Sequence, residues 1–325
     1  MGRLHRAAAA DRPGRRAQDR DRAGALVGAF STGPRATVRV PATSANLGPG
    51  FDSLGLALDL CDEVTAEAQS GTGVTVEVEG EGRGAVPGDE RHLVAATMLR
   101  TFKTLDLAPP GLKLKCRNRI PHARGLGSSS AAIVAGIMLA DALAGAGMTR
   151  GQKLALAAEI EGHPDNVAPC LLGGFTIAYS TEDGAKAVAL DPSPRIHPWV
   201  YIPQTTGLTS VARAALPEKV AYADAVFNLS RAALLVAAVS RQPSRLFDAT
   251  DDRLHQRFRA SGMPESTRLL DRLRTAGIAA AISGAGPTVL ALAIDGAEVP
   301  EAPPGFEARR LDVAQGAAQV APANE

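Results

Sequence analysis

The chain has 325 residues, 45% hydrophobic and 21% charged, a composition of folded globular proteins that sets aside disordered and fibrous classes and allows two modest domains. Its formal net charge of +1 is uneven, because the first 36 residues hold eight Arg and three Asp with no Lys or Glu. The acidic remainder argues against a nucleic-acid partner. Cys61, Cys116 and Cys170 form no C-x-x-C pair, which leaves no disulfide framework or zinc motif and points to a reducing cytoplasm. No run reaches the roughly 18 apolar residues of a membrane span, and residues 1–36 lack a signal-type apolar segment, so no membrane partner is expected.

Residues 1–36 read as a disordered tail, since Asp11, Asp19 and Asp21 count against a transit peptide. Order begins at Thr37, where Val38 and Val40 alternate with polar residues and predict a strand before the turn-rich stretch 41–50. Residues 56–68 and 73–79 alternate again and predict half-buried, antiparallel strands. Helical spacing covers 93–105, and 112–116 returns to strand. Residues 128–146 form an Ala-rich, almost wholly apolar segment, expected as a helix buried on most sides. Thr149 is placed to cap a helix that runs to Glu161 and stops at Gly162, ahead of a loop carrying Pro164 and Pro169 and a strand at 173–180.

Asp191, Pro192, Ser193 and Pro194 make the best linker, so the expected domains are 37–190 and 191–325. The second half predicts a strand at 199–203, helices at 219–240 and 264–276, and strands at 278–283 and 288–294. Helices and strands intermingle without βαβ repetition, which places the chain in the α+β class.

The strongest chemical signal is Gly125, Leu126, Gly127, Ser128, Ser129, Ser130 at the start of the apolar helix. Glycines admit an anion to the backbone, and the first helical N–H groups and the helix dipole favour a phosphate there. A serine cap on a structural helix is the other reading. Glu161 ends its helix where the dipole disfavours an acid, so it is expected to have a partner, with Glu159 as the alternative acid.

Two further blocks decide the context: Pro-Ala-Thr-Ser-Ala-Asn-Leu-Gly-Pro-Gly-Phe-Asp at 41–52 and Ser-Gly-Ala-Gly-Pro-Thr at 283–288. From Thr37 onward the three blocks together resemble the signature motifs of the galactokinase, homoserine kinase, mevalonate kinase and phosphomevalonate kinase (GHMP) superfamily. Within it, the front block, Gly162 to Pro169 and the Thr209 to Arg213 segment look like the homoserine kinases.

That resemblance implies a two-domain GHMP kinase fold, with a ribosomal-protein-S5-like nucleotide-binding domain at 37–190 and a ferredoxin-like α+β domain at 191–325. It implies ATP and magnesium, phosphoryl transfer to the side-chain hydroxyl of L-homoserine, and a homodimer. A kinase for another small alcohol, or a ligand sensor without turnover, is the alternative. Pro121, His122, Ala123, Arg124, Gly125, Leu126, Gly127, Ser128, Ser129, Ser130 and Ala131 would then form the nucleotide loop, with Ser129 and Glu161 on the metal. Asn46, Asp52, His163, Thr209, Arg213 and Arg259 would hold the substrate, the two arginines suiting a carboxylate. Asn166 would orient the hydroxyl, and Asp165 is either a base or a loop-stabilising residue. The family usually carries Gln-Pro-Tyr-Arg where this chain reads Gln256, Arg257, Phe258, Arg259, an added charge beside the clamp.

Overall fold

The computed structural model describes residues 33–320, so most of the expected tail lies outside the described residues. Arg35 and Ala36, assigned above to that tail, already belong to strand β1 (Arg35–Ala45). This strand pairs antiparallel with the long β2 (Leu54–Gln69), and the register shifts at Pro41/Ala42, where proline offers no ladder donor. The shift frees the Asp59 N–H to bond the Asp312 carbonyl at 2.9 Å, which ties the end of the chain to the first sheet.

The outer edge of β2 has two neighbours. Its beginning pairs with β5 (Phe175–Thr181), itself in a hairpin with β6 (Gly184–Leu190), and its end pairs with β4 (Gly111–Asn118). β3 (Val74–Gly80) does not pair antiparallel with its predecessor as expected. Helix α1 (Leu93–Thr104) carries the chain over the sheet, so β4 returns parallel to β3 and inserts between it and β2.

Helix α2 (Ser128–Ala144) is apolar around its circumference and is accordingly buried between β1 and helices α1 and α3 (Arg150–Glu161). Gly136 permits this packing, since a Cβ there would sit 2.7 Å from Thr97 Cβ and 2.8 Å from the Val94 carbonyl. Thr149 and Gln152 cap α3 reciprocally, as a capping box. The stretch read as a loop with two prolines is helix α4 (Pro164–Leu172). Pro164 occupies its first position, where no N–H is needed, and Pro169 is tolerated in a buried helix of only nine residues.

The second sheet is antiparallel and contains β7 (Ile196–Pro203), β8 (Ala279–Ile282), β9 (Val289–Ile294) and β10 (Phe306–Arg310) in the order β10-β7-β9-β8. Counted within this half the order is 4-1-3-2, the ferredoxin-like arrangement, with helices between its first and second strands. Those helices include α5 (Thr209–Ala214), α6 (Tyr222–Ser240), α7 (Leu246–Ala249), α8 (Gln256–Arg259) and α9 (Pro264–Thr275). Alternation along β9 sends Val289 and Ala291 against Leu269 and Leu273 of α9, while Leu290 and Leu292 join the main core with Leu235, Ala238 and Val239 of α6. Helix α6 has the length and mean hydropathy (1.4) of a membrane span, but Asp224 and Arg231 interrupt it and its buried apolar residues, Leu235, Ala238 and Val239, belong to this core.

The expected division at 190/191 does not hold at the end of the chain. Beyond β10 the backbone rejoins the first sheet, where β11 (Ala318–Val320) pairs with β1. The two halves share one apolar cluster, because one face of β9 (Leu290, Leu292) joins the residues of the first sheet while its other face belongs to a separate core.

Candidate active site

Three blocks far apart in sequence converge where α2 begins. Gly127 has φ +71°, and a Cβ on it would lie 2.0 Å from Thr43 Oγ1; a Cβ on Gly125 would lie 2.4 Å from the Ser283 carbonyl. These contacts join the 125–130 loop to the front block and to the 283–288 turn. Ser283 Oγ donates to the Gly125 carbonyl at 2.6 Å, and Thr43 Oγ1 donates to Asn166 Oδ1 at 2.8 Å.

No side chain caps α2, which excludes the serine-cap reading. Ser129 and Ser130 instead donate to Glu161 Oε1 at 2.6 and 2.9 Å, which identifies the partner that the acid at the end of α3 needed. Glu159, the alternative acid, faces away and pairs with Arg100 at 2.7 Å. The first-turn amides of α2 therefore keep their capacity for an anion.

The front block forms a tight loop with Asn46, Leu47 and Asp52 at positive φ, backbone strain of the kind concentrated at binding sites. Asn46, 3% exposed, holds it: Oδ1 accepts the Asp52 N–H and Nδ2 donates to the Gly284 carbonyl, both at 2.9 Å. Asp52 and Arg213 make a bidentate pair at 3.0 and 2.7 Å, with about a third of each side chain exposed. Arg259 is 3% exposed and donates to the carbonyls of Ala212 and Gly284. Burial pushes its guanidinium below the usual range, and the nearby Arg213 adds to the effect.

On the opposite wall, Asp165 is buried and bonds His163 Nδ1 at 2.8 Å, with Asn166 Nδ2 at 3.4 Å from the same oxygen. This hydrogen bond raises the His163 pKa against the opposing effect of burial. The groups enclose a cavity of about 250 Å³ bounded by Asp52, Arg213, Arg259, Asn166, Glu161 and Ser129. Asn46, His163, Asp165 and Thr209 also line it, as do Ala123, Gly125, Gly127 and Ser128.

A second cavity of about 300 Å³ opens on the other side of the α2 terminus and shares Ser128 and Ser129 with the first. Its walls include Val40, Val64, Val86 and Val94, together with His122 and Ala131 of the expected nucleotide loop. Pro121, Leu126 and Ser130 are buried and line neither cavity. Arg124 turns away, its guanidinium spent on the carbonyls of His122, Pro203 and Gln204. Arg257 also points outward, to Asp224 at 2.6 Å, so its added charge does not enter the clamp.

Sequence reasoning missed His92 and Asp62 in the second cavity. His92 Nδ1 is buried with no hydrogen-bond partner, while Asp62 accepts the N–H groups of Arg119 and Ile120 at 2.6 and 2.9 Å. The available signal was a polar residue at the mouth of an apolar helix and an acid within an alternating strand. It also missed His255, four residues before Arg259 and bonded to it, whose signal was the one-turn spacing.

Residues 92–174 match the family described as GHMP kinases N terminal domain, and residues 234–304 match GHMP kinases C terminal. A homoserine kinase of Streptomyces coelicolor is 52% identical over 88% of this chain and 94% of its own length. One from Clavibacter michiganensis is 51% identical over 82% and 85%. The crystal structure of homoserine kinase from Cytophaga hutchinsonii superposes with a TM-score of 0.77 at 28% identity, covering 88% of this chain and 97% of that one. The relatives match most of this chain and most of their own length, and the chain belongs to the homoserine kinase family of GHMP kinases.

Proposed function

We propose that the protein transfers the γ-phosphoryl group of ATP to the side-chain hydroxyl of L-homoserine, giving O-phospho-L-homoserine on the route to threonine. The observation that carries this reading is a cavity with opposite charges, Asp52 against Arg213 and Arg259, opening onto an uncapped, glycine-led helix start. An α-amino acid presents an ammonium to Asp52 and a carboxylate to Arg213, Arg259 and Thr209. Its side chain then extends toward Asn166, while phosphates take the first-turn amides of α2 and the nucleoside takes the apolar second cavity.

The donor set fits a magnesium ion. Ser129 Oγ and Glu161 Oε1 are hard oxygen ligands 2.6 Å apart, and among the described residues no cluster of three His, Cys, Asp or Glu competes for it. Ser129 and Glu161 would hold the ion, with phosphate and water completing its shell, and when bound it offsets phosphate charge. The chain's own part is alignment and electrostatic support, which is most of what phosphoryl transfer asks of a protein. Asp165 orients His163 and Asn166 and is assigned no proton transfer, because its buried carboxylate is already bonded to His163.

We place the enzyme in the cytoplasm, where its three free cysteines stay reduced, and as a homodimer, which light scattering on purified protein tests. The activity test is purified protein with Mg-ATP and a panel of homoserine, mevalonate, galactose and shikimate. Homoserine is expected to give the highest kcat/KM. A higher value on another alcohol overturns the substrate, and no turnover with any of them leaves a ligand sensor.

A further inference from the structure

His255 is wholly buried at the start of α8 and lines neither cavity, yet it contacts Arg259 on the wall of the first cavity and Gly48 in the loop that carries Asn46 and Asp52. Its Nε2 lies 2.7 Å from the Gly48 carbonyl, which can only accept, so Nε2 carries the proton. Nδ1 of the neutral ring is then an acceptor, and Arg259 Nη1 donates to it at 3.2 Å. A second proton on the ring would set two donors against each other there. The ring also packs on Phe51 at 5.2 Å between centroids, and the guanidinium groups of Arg213 and Arg259 lie 5.6 and 5.4 Å from that same aromatic ring.

The ionisable groups facing His255 are Asp252, Arg259 and Asp52. Burial, reinforced by Arg259, outweighs the two acids and lowers its pKa, which agrees with the neutral tautomer read from the hydrogen bonds. Asp252 fixes the backbone around the ring by accepting the N–H groups of Leu254, His255 and Gln256, and it takes Asn228 Nδ2 at 2.9 Å. One imidazole thus links the loop that carries Asp52 to the arginine opposite it.

We propose that His255 is a positioning residue that sets Arg259 against the 46–52 loop and thereby sets affinity for the amino-acid substrate without touching it. This rests on the homoserine kinase reading, which the wild-type enzyme tests first: absence of homoserine phosphorylation there rejects that reading and not the role of His255.

The two ring nitrogens can be replaced separately. His255→Asn puts an amide oxygen where Nδ1 stood and keeps an acceptor for Arg259, whereas His255→Gln keeps the donor to Gly48 and loses that acceptor. His255→Gln is expected to raise the homoserine KM about tenfold, the scale of one charge-assisted hydrogen bond, with kcat and the ATP KM within about twofold. His255→Asn is expected to stay within about threefold of wild type for homoserine even where its melting temperature falls. In an Arg259→Lys background, His255→Gln should add less than about twofold, because the contact it removes is already gone. Equal KM increases in the two variants, an ATP KM that rises in parallel, or full additivity with Arg259→Lys each make His255 a residue of the fold only and overturn the proposal. The Arg259→Lys cycle decides the matter from His255→Gln alone if His255→Asn does not fold.

Discussion

The cavity lined by Asp52 and Arg213 and the cavity behind the first turn of α1 share Ser128 and Ser129, yet their walls are built on different physics. In the first, charges face each other and are already paired: Asp52 with Arg213, Asp165 with His163, and Glu161 with two serine hydroxyls. A ligand must exchange these contacts for its own, so a molecule with both an ammonium and a carboxylate replaces one ion pair by two, whereas a singly charged molecule strands a partner. In the second, valines supply shape and a single buried atom, His92 Nδ1, has no partner. Asp62, Asn118 and His122 stand among the valines, so on the proposed reading a ligand there meets a mostly apolar wall with a few polar groups. On the proposed reading, the same helix terminus serves an acceptor pocket on one side and a nucleoside pocket on the other.

The largest effect that would break this contrast lies where the cavities meet. Glu161→Gln keeps the side-chain shape but removes the charge expected on magnesium, and a loss of about 10²–10³ in kcat with a raised magnesium requirement is predicted. A kcat within tenfold of wild type in steady-state assays removes Glu161 from the chemistry. Next comes Arg213→Lys, which retains charge and loses the bidentate fork: the homoserine KM should rise about 30-fold while the ATP KM stays unchanged. Equal weakening of both substrates would show that Arg213 holds the two halves together rather than gripping the acceptor.

His92→Leu probes the other cavity and should do the reverse. An ATP KM higher by about five- to tenfold with an unchanged homoserine KM is expected from the loss of one hydrogen-bonding group. An unaltered ATP KM in the same assay takes the nucleoside out of this cavity.

The smallest expected effect is on stability against pH. The His255 pKa is depressed below 6.5 by burial, so as pH falls below 6.5 the unfolded chain takes up the proton before the folded one. Its contribution is complete above pH 6.5 and is lost on acidification toward the folded value, by at most about 1.4 kcal/mol per pH unit. Urea unfolding at pH 7.5 and 5.5 should show a smaller difference in His255→Asn than in wild type. An identical difference in the two proteins rules out a proton-linked cost at this ring.

Much of this was legible from local patterns. The apolar run from Ser128, the Thr149 cap, the stop at Gly162, the alternation of β2 and the strand expected at 288–294 became elements of the fold. Helix α4 was hidden by Pro164 and Pro169, because a proline reads as a breaker unless its position within the first turn is known. The parallel pairing of β3 with β4 was hidden because alternation marks which face is buried and not which strand lies alongside. At the site, Asn46, Asp52, Arg213 and Arg259 were identified by resemblance, whereas His255 and His92 needed the neighbours that only folding supplies.

The order of amino acids determined which segments bury an apolar face, where α2 and α3 begin and end, and that a glycine-led helix start is available to an anion. These depend on side chains within a few residues of one another. The closure of the chain's end onto β1, the turning of Arg124 and Arg257 away from the cavity, and the bridge from Gly48 through His255 to Arg259 were decided by tertiary structure. Gly48 and His255 stand 207 positions apart, and a hydrogen bond across that separation forms only once the two halves have packed on a common core.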